Sequence, residues 1–152
     1  MTDTSHEKQS LTSGMAAKWD PSVMRHGYTA LPNLLFDYIA LLEITPGEQA
    51  VLFNLLRYWY RHSEKPNTSK KRIADSIGIS TRQVQRNLRK LEAKNIIEIA
   101  ANPDGVRSTN RFSFDGLKNK LITIGEAHRK EEKIENWDRH NRVVTKLLEK
   151  GL

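Results

Sequence analysis

The chain contains no cysteine. That excludes a disulfide framework, a thiolate metal site and a cysteine nucleophile, and it leaves the redox compartment open. No stretch approaches the ~18 consecutive apolar residues of a transmembrane helix. Met1 to Asp20 is polar overall and lacks the apolar run of a secretory signal. His6, His26, His62, His128 and His140 fall in no metal-ligand spacing such as HExxH. Neither a GxxxxGK[ST] phosphate loop nor a GxGxxG turn is present, and no pair of carboxylates sits in an apolar frame. These absences argue against catalysis, a bound metal and a cofactor. They leave a soluble, intracellular, non-enzymatic protein as the expectation.

What the chain does have is unevenly placed positive charge. Its 152 residues fit about one domain, long enough to hide roughly two thirds of the unfolded surface. There are 25 Lys and Arg against 18 Asp and Glu, giving a net charge of +7 and a pI near 9.7. Up to Thr68 the net charge is −1; from Ser69 to Arg111 it is +6; from Phe112 onward it is +2. A basic excess held in one segment is the footprint of a phosphate-backbone binder, with a solvated basic surface as the plainer alternative.

Residues 1–18 are rich in Thr, Ser, Lys and Glu and read as a disordered arm. Residues 19–121 read as a domain and 122–152 as a C-terminal helical segment. Asp20-Pro21 is a turn or helix-entry signal, and Trp19 and Tyr28 read as packing residues. His26 to Pro32 reads as extended. Leu34, Leu35, Tyr38, Ile39 and Leu42 share one face of a helix that Asn33 can cap. Thr45-Pro46-Gly47-Glu48 fits a capping box with proline at the first helical position. Val51, Leu52, Leu55, Leu56, Trp59 and Tyr60 follow at helical spacing as core residues, and Pro66 closes the loop beyond.

The segment Thr68 to Lys94 carries the functional argument. Lys70 to Ile77 reads as a short helix capped by Thr68 or Ser69, and Gly78-Ile79-Ser80 as a turn with glycine at the left-handed position. Ser80 or Thr81 caps a second helix, Thr81 to Lys94, whose apolar positions Val84, Leu88 and Leu91 face one way. This is helix-turn-helix spacing, with Ala74 small where the helices cross. Thr81, Arg82, Gln83, Gln85, Arg86, Arg89 and Lys90 lie on or near the outer face. Arginine can pair bidentately with guanine and glutamine with adenine in a major groove. Ser69, Lys70, Lys71 and Ser80 complete the expected contact set on duplex DNA. An ordinary helical hairpin with a solvated basic face is the competing reading. Ile96 to Ala100 and Phe112 to Phe114 then read as strands around the turn Asn102-Pro103-Asp104-Gly105, a wing whose Arg107 and Arg111 can reach phosphates or the minor groove.

These residues together resemble the winged helix-turn-helix domain of plasmid and phage replication initiators and related regulators of mobile elements. The resemblance runs from His26 to about Leu121. It rests on Tyr28-Thr29-Ala30-Leu31-Pro32-Asn33, Thr45-Pro46, Lys71-Arg72-Ile73-Ala74, Gly78 to Arg86, Leu91 to Ile97 and Asn110-Arg111-Phe112. Two stretches depart from the family pattern: Asn95-Ile96-Ile97 stands where Gly-Leu-Ile is common, and Asn67-Thr68-Ser69 where Phe-Pro-Ser is common. The resemblance implies a mainly α fold with a small β-hairpin wing, an N-terminal helical extension and a C-terminal helix. It implies a sequence-specific double-stranded DNA-binding protein in the bacterial cytoplasm, associated with the nucleoid. The function expected is transcriptional regulation of a plasmid, phage or other mobile element, with an origin-binding initiator or accessory replication protein as the alternative. About 38 residues follow the wing, little for a module that melts DNA, which favours regulation. An adaptor without DNA binding is opposed by the Arg82 to Arg89 face.

Beyond the wing, Asp115 can cap a helix whose stripe Leu117, Leu121, Ile122 and Ile124 is interrupted at Gly125. Ile134, Trp137, Asn141, Val144 and Leu148 fall at the a and d positions of two heptads, with Asn141 a polar residue able to fix register. The expectation is a homodimer through this helix, binding an inverted repeat. The alternative is that the helix docks its Trp137 face on its own domain.

Overall fold

The computed structural model describes residues 14–61, 64–101, 109–131 and 136–151. The chain divides into two units, Met1–Ala30 and Leu31–Leu152. In the first, residues 14–19 are helical, so part of the stretch expected as a disordered arm carries regular structure. A second short helix, Pro21–Met24, starts at Asp20, whose carboxylate accepts the Ser22 N–H at 2.8 Å. None of residues 14–30 is buried, and Trp19 and Tyr28 are both more than half exposed. They are not core residues, and among the described residues of this unit no side chain is buried.

In the second unit the helices are α1 (Asn33–Asp37), α2 (Pro46–Leu56), α3 (Lys70–Ile77), α4 (Thr81–Ala93), α5 (Asp115–Lys130) and α6 (Asn136–Glu149). The strands are β1 (Asn67–Ser69), β2 (Glu98–Ala101) and β3 (Thr109–Ser113). They form an antiparallel sheet in the order β1-β3-β2, with Phe112 opposite Ile99 and Arg111 between Asn67 and Ala100. The expected hairpin is thus β2 and β3, while β1 adds a third strand. The turn Asn102-Pro103-Asp104-Gly105 and Arg107 lie outside the described residues.

Local chemistry explains most boundaries. Pro32, not Asn33, occupies the N-cap of α1 with extended backbone, and Asn33 is the first helical residue. Helix α1 ends at Asp37, yet Tyr38 and Leu42 still reach the core from the turns that follow. Thr45 caps α2 in a complete capping box: its Oγ1 accepts the Glu48 N–H and the Glu48 carboxylate accepts the Thr45 N–H at 3.1 Å. Helix α2 stops at Leu56. The apolar pattern outlasts the helix, so Trp59 is half-buried against Phe114, with ring centroids 5.2 Å apart, while Tyr60 is 80 % exposed rather than core. Leu35, Leu52, Leu55, Ile73, Val84, Leu88 and Leu91 form the centre of a core that Ile96, Phe112, Leu117 and Ile124 extend.

Asp115 does not cap α5. The Ser113 hydroxyl accepts the Asp115 N–H at 3.3 Å and donates to its carboxylate, while Phe114 takes the N-cap position. Nor does Gly125 interrupt the helix, which runs unbroken to Lys130 with Gly125 facing Leu34. Of the expected apolar stripe, Leu117 and Ile124 are buried and Ile122 is 49 % exposed. Helix α6 packs on α5 through Val143 and Leu147, both buried. That stripe is one residue away from the heptad seam inferred from the sequence. Along the seam Asn141 is exposed, Val144 half-buried and Leu148 60 % exposed; Ile134 and the Trp137 side chain lie outside what is described.

Candidate nucleic-acid interface

Helix α3 starts where Ser69 Oγ accepts the Arg72 N–H at 3.1 Å, and it ends at Gly78, whose φ of 72° is the left-handed conformation glycine adopts without strain. Gly78 and Ile79 N–H both donate to the Ala74 carbonyl. The chain then reverses into α4 through a cap at Ser80. Ile73, Ala74, Val84 and Leu88 are buried at the crossing of the two helices, and Ile77 and Ile79 pack beside them. With its apolar stripe turned inward, α4 must present its polar residues outward.

Thr81, Arg82, Gln83, Arg86, Arg89 and Lys90 are exposed, and Arg82, Gln85, Arg86, Arg89, Lys90 and Ala93 line a shallow groove along the outer face. Among the described residues none of these four cations forms an ion pair. The face is therefore a bare basic surface on a rigid helix, as a polyanion requires.

The other expected contacts are distributed differently. Gln83 completes a capping box: its Oε1 accepts from both the Ser80 N–H (2.9 Å) and the Ser80 hydroxyl (3.0 Å), while Ser80 Oγ accepts the Gln83 N–H (3.2 Å). Bidentate pairing with adenine needs that oxygen, which is here engaged at the helix start. The sequence signal for this is Ser80-Thr81-Arg82-Gln83 itself. Gln85 is half-buried and its Oε1 accepts from the Lys70 ammonium, which ties α3 to α4. Lys71 is exposed and paired with Asp75 at 2.7 Å. Ser69 serves as the α3 cap. Arg111 is half-buried in the central strand, where alternation places it opposite the core residue Phe112.

Sequence reasoning missed what anchors this face. Glu48 is 1 % exposed, and its Oε2 receives the Lys94 ammonium at 2.7 Å as well as the Thr45 N–H. Lys94, the residue after α4, also donates to the Glu43 carbonyl. Burial raises the Glu48 pKa, but the Lys94 ammonium and the Thr45 N–H outweigh it and hold the carboxyl below its usual range. Glu48 and Lys94 are 46 positions apart, and no local pattern links them.

Among the described residues no group of His, Asp or Glu is arranged to hold a metal ion, and no helix is long and apolar enough to cross a membrane. Residues 42–97, which span α2, β1, α3 and α4, match the model of a helix-turn-helix domain family. With three antiparallel strands flanking α3 and α4, the architecture is decided. The protein has a winged helix-turn-helix fold. The N-terminal domain of DnaD protein from Geobacillus kaustophilus HTA426 shares this fold at 20 % identity, with a TM-score of 0.53 over 78 % of this chain and 96 % of that one. The winged helix is also similar to S. aureus MepR in a DNA complex (21 % identity, 78 % of this chain, 89 % of that one, TM-score 0.43). A third similar structure is the MarR family transcription regulator SP03579 (16 % identity, 95 % and 90 % coverage, TM-score 0.41). No curated protein matches the chain.

Proposed function

We propose that the winged helix is a sequence-specific double-stranded DNA-binding protein that regulates transcription, with α4 lying in the major groove. The observation that carries this reading is the row Arg82, Arg86, Arg89 and Lys90, exposed and without carboxylate partners among the described residues, on a helix whose opposite face is locked into the core. Arg86 and Arg82 are the base-reading candidates. Arg89, Lys90 and Lys71 hold phosphates, and Arg111 with Arg107 supplies the wing contact. The resemblance of residues 26–121 to mobile-element regulators supports a plasmid, phage or similar element as the setting, and hence the bacterial cytoplasm and nucleoid.

The protein acts as a homodimer on an inverted repeat. Support for this comes from α6, where Leu148 remains on the surface beside the half-buried Val144 although Val143 and Leu147 satisfy the core. The test is binding-site selection from random duplex DNA with the full chain at two salt concentrations. A palindromic motif enriched at both salts is the expected result. Directly repeated motifs would favour an origin-binding replication protein, and binding without any enriched motif would reduce the basic face to a non-specific phosphate grip.

A further inference from the structure

A second basic feature lies outside the expected contact set. Arg57, the residue after α2, and Arg72, in the first turn of α3, both bring their guanidinium groups over the ring of Tyr58, with Cζ 5.5 Å and 5.8 Å from its centroid. Both arginines are exposed, and among the described residues neither forms an ion pair. The placement is fixed by packing. Ser76, one turn after Arg72 on the same side of α3, donates its hydroxyl to Asn54 of α2 at 2.9 Å, which holds that side of α3 against the end of α2.

Two like charges converging on one half-buried ring repel each other. A tyrosine face at an exposed site returns only a fraction of that cost. The arrangement is relieved when neighbouring backbone phosphates lie against the two guanidinium groups, each of which offers a planar fork that fits phosphate oxygens. The first turn of α3 also supplies continuity. Lys70 reaches from it to Gln85 on α4, while Arg72 reaches from it to Tyr58. The basic surface therefore continues from the groove-facing helix, across the start of α3, to the end of α2.

We infer that Arg57 and Arg72, set by Tyr58, form a clamp for the phosphodiester backbone of duplex DNA, outside the stretch read by α4. The inference rests on the DNA-binding reading above and extends its footprint to a side of the domain that helix-turn-helix spacing does not include. The clamp contributes affinity and salt dependence but no sequence preference, because phosphates carry none.

The test uses the full chain and a fluorescent mixed-sequence DNA duplex, with affinity measured across a salt series. Each phosphate contact adds about 0.9 to the slope of log K against log salt. The Arg57→Gln/Arg72→Gln variant is expected to lower that slope by about 2, weaken low-salt binding by about tenfold, and leave the motif recovered in site selection unchanged. The Arg57→Lys/Arg72→Lys variant is expected to keep the slope, since an ammonium still neutralises a phosphate. Loss of slope in that variant would mean the substitutions act through the fold, and would overturn the clamp. An unchanged slope in the glutamine variant, with wild-type binding intact, would overturn the clamp and leave the reading of α4 standing. An unchanged slope together with lost binding to polyglutamate would assign the surface to an acidic protein segment instead. Failure of the wild-type chain to bind any duplex would remove the DNA-binding reading, and the clamp with it.

Discussion

The Lys94 ammonium lies 2.7 Å from the buried Glu48 carboxylate and thereby joins the C-terminal end of the basic helix to the first turn of α2. The Glu48 side chain already closes the capping box with Thr45, so one carboxylate both starts α2 and sets the far end of α4. Its other oxygen, Oε1, is buried and has no hydrogen-bond partner among the described residues. Removing the cation would leave a carboxylate that has lost its water and its counter-ion. Lys94→Met is therefore expected to destabilise the domain by about 2–3 kcal/mol in urea unfolding, below the full cost of a wholly buried pair because the Lys94 side chain is 27 % exposed. A change under about 0.5 kcal/mol, the usual scale of surface substitutions, would show that the pair does not hold the two helices together.

The same carboxylate gives stability a pH dependence. Its folded pKa is lowered, so the unfolded chain binds the proton more readily. The contribution is complete above the unfolded pKa and disappears as pH falls through the folded one. The stability difference between wild type and Glu48→Gln is thus expected to be largest at neutral pH and to shrink on acidification below the ordinary carboxylate range. Urea midpoints of both proteins over an acid-to-neutral series check this, and a difference independent of pH would assign the effect to packing alone.

What the sequence reveals and what it conceals divide by range. Both capping boxes, the left-handed Gly78 and the inward stripe of Val84, Leu88 and Leu91 are local, so the helix-turn-helix was readable from spacing. Strand β1 was not, because the three residues from Asn67 to the Ser69 cap are too few to show alternation. The Glu48–Lys94 pair depends on tertiary approach. On α6 the heptad positions and the core-facing stripe differ by a single residue, about 100° of helix rotation, and two heptads of amphipathic sequence do not decide between them. At Gln83 the local signal existed, but it competed with a base-reading role that the same residue type also suits.

That competition can be resolved by substitution. Gln83→Ala removes the acceptor for the Ser80 N–H and is expected to cost about 0.5–1 kcal/mol of stability while leaving the recovered DNA motif unchanged. Arg86→Ala is expected to do the reverse, with unaltered thermal unfolding and a loss of about 1–3 kcal/mol in specific binding. Relaxed preference at a motif position in the Gln83 variant would return it to the readout set.

Two glycines on α5 make an opposed pair. A Cβ at Gly116 would lie 2.1 Å from the Asn95 carbonyl oxygen, a backbone atom that also belongs to a residue with φ of 53°. Gly116→Ala is expected to destabilise by about 3 kcal/mol, because neither backbone segment can give way. A Cβ at Gly125 would meet only the Leu34 Cδ1 methyl, at 3.3 Å. Leu34 is half-buried and can rotate, so the helix-propensity gain of Gly125→Ala, up to about 1 kcal/mol, is expected to prevail. Melting temperatures moving in opposite directions are the result to look for, and a stable Gly116→Ala would refute the close approach of α5 to the end of α4.

The last expectation concerns assembly. Leu148 is 60 % exposed and lies beside the half-buried Val144, while Leu147 and Val143 on the same helix are spent on the core. Leu148→Glu therefore leaves the core contacts of Val143 and Leu147 in place and puts a carboxylate at the open edge of the groove that Leu148 lines with Leu41 and Glu43, where a second copy would dock. Its thermal unfolding is expected to match wild type at a concentration where the wild type is monomeric. Sedimentation at high concentration is expected to give a monomer for the variant and a dimer for the wild type, and binding to a palindromic site is expected to weaken while binding to a half-site does not. A variant that still sediments as a dimer would move the interface away from α6, whereas a wild type that is monomeric at every concentration and on DNA would end the inverted-repeat reading.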